Sequence, residues 1–366
     1  MLRTFIYLFS AFLVNNCLQA QSVKQTLPTV NPIAAGYNSS FFPNLSKKLS
    51  DSIPSLGSFL VWSHGAIVYE GYYHEASDST SFDIKSITKS MVSSLAGIAR
   101  SKGLLPDLNS PVLNLLPEYA KSGFASSTVW FAHDKEIYDS IRSTLTLRDL
   151  LTMQPGFQWS DFGPVVNAFV NSSDPVRFAL DLPFEDEPGT KFVYCSAAAS
   201  VFSAALAKCL STDLKSFADS NLFAPAGISL KRWDTDPIGR YVGASEMYMT
   251  SKDLLRFGLI YLHQGKVESK QLIPEDWIKE STKKQAELKF WDVLPHADGY
   301  GYFWWRRKTN GHQAYIASGA GGQLIAVIPD LDMVVVATCF LNEKNRGRSE
   351  IKRLHFFIDK VTKVSK

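Results

Sequence analysis

The chain has 366 residues, 45% hydrophobic and 20% charged, which excludes disordered, collagen-like and low-complexity proteins. Its 38 Lys and Arg against 35 Asp and Glu leave a net charge of only +3, too balanced to suggest a nucleic-acid partner. A chain of this size buries about three quarters of its unfolded surface, so no disulfide or metal is required to hold it.

The first twenty residues read as a cleavable export signal. Arg3 supplies the positive charge, Phe5 to Val14 the apolar run, and Leu18-Gln19-Ala20 ends in a small residue. Ten apolar residues rise about 15 Å as a helix, half a bilayer core, so no stable membrane span is expected. Cys17 raises a lipid anchor, but Asn15 and Asn16 stand where small or apolar residues are wanted. The expectation is a periplasmic or secreted protein, with residues 21–366 as one domain. Cys195, Cys209 and Cys339 would remain, an odd number that reads as buried thiols rather than a disulfide framework.

Ser58 to Tyr72 holds two β-rich runs around His64-Gly65, the pattern of a tight hairpin. Ile87, Met91, Leu95 and Ile98 then form a helical stripe that Gly103 ends. Thr146 with Asp149, and Thr250 with Asp253, start two further helices in capping-box fashion. Stretches near 154–164 and 182–190 carry Pro and Gly and read as loops over a site. Pro274 opens a helix through Trp277. Tyr300 to Arg306, Gln313 to Ile316, Gln323 to Ile328 and Met333 to Phe340 read as strands, and Ile351 to Val361 as a last amphipathic helix. The predicted fold class is α/β (α+β). An antiparallel sheet is built from both chain ends, at about 40–85 and 298–366, flanked by helices, with a mainly helical insertion at about 86–297.

Three segments carry chemistry. In Ser81-Phe-Asp-Ile-Lys-Ser86-Ile-Thr-Lys89, a serine and a lysine three apart head the apolar helix and share one face. A serine hydroxyl becomes a nucleophile when a base takes its proton, and a buried, neutral amine can be that base. The same spacing recurs at Ser281–Lys284 and Ser349–Lys352, both in charged surroundings that suit solvated helices. The second segment is Tyr194-Cys195-Ser196, after the turn Pro188-Gly189 and before the small-residue run Ala197–Leu206; its bland reading is a buried tyrosine bonded to backbone. The third is Ala317-Ser318-Gly319-Ala320-Gly321-Gly322-Gln323, where small residues let another backbone or a ligand approach a strand. Trp159, Tyr302, Trp304 and Trp305 are candidates for an acyl pocket, although aromatic strand residues are more often core.

In this order the three segments resemble the penicillin-recognising serine hydrolases: class C β-lactamases, DD-peptidases and related esterases and amidases. Gly321-Gly322-Gln323 and the paired tryptophans are most similar to the branch of 6-aminohexanoate-dimer hydrolases. The resemblance implies Ser86 as acylated nucleophile, Lys89 as base and Tyr194 as proton carrier. It also implies Ser196 as the residue holding Lys89, backbone N–H groups of Ser86 and Ala320 as oxyanion hole, and Ala317, Ser318, Gly319 and Gln323 as the substrate-binding third motif. Ala317 departs from the family's Lys or His, which removes the usual cation for a substrate carboxylate. The implied activity is hydrolysis of a small or peptide-like amide or ester without metal or cofactor. A β-lactamase or D-Ala-D-Ala carboxypeptidase, and an inert binding protein on the same scaffold, are the alternatives. No Gly-x-Ser-x-Gly elbow occurs, which disfavours an α/β-hydrolase.

Overall fold

The computed structural model describes residues 27–123, 135–288, 294–341 and 349–364; the expected export signal and Cys17 lie outside them. The main sheet contains β1 (Leu56–Ser63), β2 (Ala66–Tyr72), β3 (Ala297–Tyr300), β4 (Trp305–Thr309), β5 (His312–Gly319), β6 (Gln323–Ile328) and β7 (Met333–Cys339). Their order is β2-β1-β7-β6-β5-β4-β3, with every neighbouring pair antiparallel. The two ends of the chain meet where β1 pairs with β7, Val61 opposite Val335. The expected class, an antiparallel sheet assembled from both ends and flanked by helices, is the fold observed.

Every residue of β1, β6 and β7 is buried, as it must be in a sheet covered on both faces. The helices that matter for the site are α1 (Phe41–Ser52), α2 (Ile87–Ser101), α3 (Leu147–Leu151), α4 (Ser196–Lys208), α5 (Ser251–Leu262) and α6 (Ser349–Val364). α5 lies so close to one face that a Cβ on Gly258 would come within 2.6 Å of a Val334 methyl. α6 covers the other face and packs with α1, and its Leu354 lies beside Gly322 at the start of β6.

The hairpin between β1 and β2 turns at His64 and Gly65, with φ of 49° and 87°, the two left-handed residues that a tight turn of matching twist requires. The Thr146–Asp149 capping box forms in full, and Thr250 accepts a hydrogen bond from the Asp253 N–H. Pro274 is the N-cap of Glu275–Thr282 rather than its first helical residue. One predicted strand is corrected. Tyr300 to Arg306 is broken, because β3 stops at Tyr300 and β4 begins at Trp305. Phe303 adopts φ of 60°, and Gly301 sits where a Cβ would meet the Ser281 carbonyl at 2.0 Å. The chain folds out of the sheet there and back into it. Cys195, Cys209 and Cys339 are all free thiols.

Candidate active site

A second, three-stranded sheet places the nucleophile candidate. Ser81–Asp83 pairs with Met247–Thr250, which also pairs with Arg232–Trp233. The Ile84 N–H then donates to the Met247 carbonyl at 3.0 Å. Lys85 turns the chain with φ of 49°, a conformation held by the Asp83 carboxylate, which accepts from the Lys85 N–H and pairs with its ammonium at 2.6 Å. Ser86 follows as N-cap of α2. From the opposite side Gly319 closes against this turn: a Cβ there would lie 2.4 Å from the Ile84 carbonyl. The small residues of the third segment therefore admit another backbone, the one that carries Ser86.

Lys89, one turn into α2, is 1% exposed. Its Nζ donates to Ser86 Oγ at 2.8 Å, to Ser196 Oγ at 3.1 Å and to the Ala244 carbonyl at 2.8 Å. Burial pushes its pKa down to about 8, against an upward pull from the charge of Asp161. Tyr194 reaches the same hydroxyl, its phenol hydrogen-bonded to Ser86. The ring stacks on Trp305, with centroids 5.2 Å apart and planes inclined at 20°, and Lys89 Nζ lies 5.2 Å from its centroid. Burial drives the phenol's pKa upward, so it stays protonated at neutral pH. Tyr194 is held in place from behind: Val193 N–H donates to the Met153 carbonyl, and Cys195 caps α4 by accepting from Ala198 N–H.

Asp161 is a residue of this site that sequence reasoning passed over. Its carboxylate accepts from the Ser196 N–H at 2.9 Å, from Ser196 Oγ at 2.7 Å and from the indole N–H of Trp159. It lies in the loop expected over the site, but no motif marks it, and its partner Ser196 is 35 residues away.

A cavity of about 450 Å³ opens at Ser86, Ser196 and Ala320. Val166, Phe169 and Val176 give it an apolar wall, and Arg240 lies within it. That guanidinium is matched by Asp174 and Asp236, each at 2.7 Å. Lys85, the other cation at the rim, is matched by Asp83 and, at 3.7 Å, Glu246. The N–H groups of Ser86 and Ala320, whose residues line this cavity, donate to no protein acceptor among the described residues.

Other expectations fall elsewhere. Gln323 is fully buried and clamps strand β7, its amide donating to the Cys339 carbonyl and accepting from the Cys339 N–H. It braces two central strands of the sheet and is not among the residues that line the cavity. In the third segment Ala317 is buried at 1% exposure and pairs with Ile325 of β6, and Ser318 takes the opposite face of β5. Trp304 is in the core against Tyr261 and Phe257. Tyr302 turns to Arg148 and Trp277, away from Ser86. Only Trp305 and Trp159 of the four aromatics touch site residues. Ser281 bonds to its own helix and Lys284 pairs with Glu287, while Ser349 bonds to Glu350.

A mixed α/β fold with a seven-stranded antiparallel sheet, bearing Ser-x-x-Lys at a helix start beside that sheet, is the scaffold of a serine hydrolase of the β-lactamase superfamily. The family described as Beta-lactamase matches residues 47–359, and the chain belongs to that family. Among solved structures it is similar to a protein described as a 6-aminohexanoate-dimer hydrolase from Bacillus anthracis. That match has a TM-score of 0.71 and 17% identity, covering 93% of this chain and 87% of that one. It is also similar to EstCE1, a hydrolase with promiscuous acyltransferase activity (TM-score 0.71, 15% identity, 89% and 100% covered). A D-stereospecific amidohydrolase from Streptomyces sp. shares the fold as well (TM-score 0.62, 17% identity, 86% and 98% covered). No curated protein matches the sequence significantly. Among the described residues no helix is long and apolar enough to cross a membrane.

Proposed function

We propose that the protein is an exported serine hydrolase that cleaves an amide or ester through an acyl-enzyme on Ser86. The observation that carries this reading is the convergence of the Lys89 amine, at 2.8 Å, and the Tyr194 phenol on one hydroxyl. Neutral Lys89 takes the Ser86 proton as Oγ attacks the carbonyl carbon. The Ser86 and Ala320 N–H groups receive the developing oxyanion. The proton that Lys89 took is relayed through Tyr194 to the departing amine or alkoxide, leaving both groups as they began, and water, deprotonated by the same pair, then hydrolyses the ester formed on Ser86 and restores its hydroxyl. Export rests on the residues before Gln21.

A β-lactamase or D-Ala-D-Ala carboxypeptidase must grip a substrate carboxylate. Here Ala317 brings no charge, and the two cations lining the cavity, Lys85 and Arg240, are ion-paired. This supports a substrate without an essential carboxylate, and nitrocefin should turn over poorly beside neutral esters. One intact-mass experiment addresses the main reading. The secreted chain should begin at Gln21 and gain one fluorophosphonate adduct, and Ser86→Ala should lose the adduct and all ester turnover while melting normally. An unlabelled wild type points to an inert binder, and a Ser86→Ala variant that hydrolyses at the wild-type rate removes the nucleophile.

A further inference from the structure

We infer that Asp161 is a positioning residue that sets the direction of the hydrogen bonds around Lys89, so that the neutral amine presents its lone pair to Ser86 alone. The inference rests on the reading of Ser86 and Lys89 as nucleophile and base. Lys89 Nζ has three protein partners: Ser86 Oγ, Ser196 Oγ and the Ala244 carbonyl. A carbonyl only accepts. A serine hydroxyl donates through its single hydrogen and accepts through its lone pairs, so it can donate to one partner only. The Ser196 hydrogen is committed to Asp161 Oδ2 at 2.7 Å, because a carboxylate can only accept. Ser196 is thereby an obligate acceptor toward Lys89. When Lys89 loses a proton its two remaining N–H bonds go to Ser196 and Ala244, and its lone pair is left facing the hydroxyl it must deprotonate.

The other carboxylate oxygen is fixed as well. Oδ1 accepts from the Ser196 N–H and from the Trp159 indole N–H, two donors that cannot reverse. This makes Asp161→Asn an inversion of the relay and more than a deletion. The two donors hold the amide oxygen at the Oδ1 position, so the amide NH2 faces Ser196 Oγ. Ser196 then accepts from Asn and turns its hydrogen to the Lys89 lone pair, in competition with Ser86. The same carboxylate also stabilises the positive N-terminus of α4, a purely structural role that the test must separate.

The experiment measures steady-state hydrolysis of a neutral p-nitrophenyl ester by wild type, Asp161→Asn, Ser196→Ala and the double variant, each checked by thermal melting. Asp161→Asn should lower kcat by about 10- to 100-fold, since the lone pair is misdirected; Asp161 lines the cavity, but a neutral ester makes no ion pair with it and the amide has nearly the carboxylate's shape, so KM should stay within about twofold. Its acid limb should move to lower pH, because the carboxylate charge that favours the Lys89 ammonium is gone. In the Ser196→Ala background, where no hydroxyl remains to be turned, the same substitution should cost less than about twofold. An unchanged kcat, or equal fractional losses in both backgrounds, overturns the proposal and leaves Asp161 as a helix cap. Loss of turnover in Ser86→Ala alongside an unaffected Asp161→Asn would sink this role while the acyl-enzyme reading stands.

Discussion

Lys89 is a buried amine that the protein maintains at a cost. With its pKa pushed down to about 8, about one molecule in ten holds it neutral at pH 7, where an exposed lysine would be neutral in fewer than about one in a thousand. The difference from the ordinary value corresponds to about 3 kcal/mol against folding. The sign follows from proton binding: the native state holds this proton less tightly than the unfolded chain. The penalty is therefore full below about pH 8 and relieved as pH rises through about 8 to 10.5. Three hydrogen bonds to the ammonium offset part of it. The catalytic consequence is a pH profile. The kcat/KM for a neutral ester should rise about tenfold per pH unit and level off near pH 8. Lys89→Arg, which cannot lose its proton, should lower the rate by about 10²–10⁴-fold and flatten the limb. A limb that survives in Lys89→Arg would assign the titration to another group.

At the level of elements, the site depends on how β5 docks against the turn that carries Ser86. Gly319→Ala places a methyl 2.4 Å from a backbone carbonyl, where no side-chain rotation relieves it. Overpacking of this kind costs about 1–3 kcal/mol, and a displacement of about 1 Å at a nucleophile costs about 10²-fold in rate. Gly319→Ala should therefore lower both the melting temperature, by several degrees, and kcat, by at least about tenfold; a variant with wild-type kcat would show that the turn does not depend on β5. Much of this framework was legible in the amino-acid order. β6 and β7 announce themselves as mostly apolar runs because both faces are covered, and the helix behind Ser86 shows an apolar stripe, although folding buries every residue from Ile87 to Ala99 and not the stripe alone. The break at Gly301–Trp304 was not legible, since it answers to a contact with Ser281 in a distant helix. Asp161 was hidden for the same reason: a lone loop carboxylate has no periodicity, and only folding brings Ser196 to it. Gln323 misled because a motif position records neighbours in sequence and not the face a side chain takes.

For the whole molecule, closure of the sheet between distant chain ends leaves α6 to seal one face, and that seal contains a pH-sensitive contact. His355 on α6 is 1% exposed, and its Nδ1 faces Arg307 of β4 at 2.7 Å. Arg307 also bonds Asp359, one turn further along α6. Because a guanidinium only donates, His355 Nδ1 must be the acceptor, which places the neutral ring's hydrogen on Nε2. That Nε2 is buried without a hydrogen-bond partner among the described residues. Burial first, then the charges of Arg307 and His296, hold the imidazole pKa well below its usual value. The native state refuses a proton that the unfolded chain accepts near pH 6.5. Stability is therefore intact above about 6.5 and falls as pH drops below it, by up to about 1.4 kcal/mol per pH unit from this group. Urea unfolding of the wild type should show this slope between about pH 6.5 and 5, above the range where ordinary carboxylates titrate. His355→Gln, whose amide oxygen can still accept from Arg307, should remove about one proton's worth of it. An identical slope in His355→Gln would mean that acid sensitivity arises elsewhere and that the α6 seal is indifferent to protons.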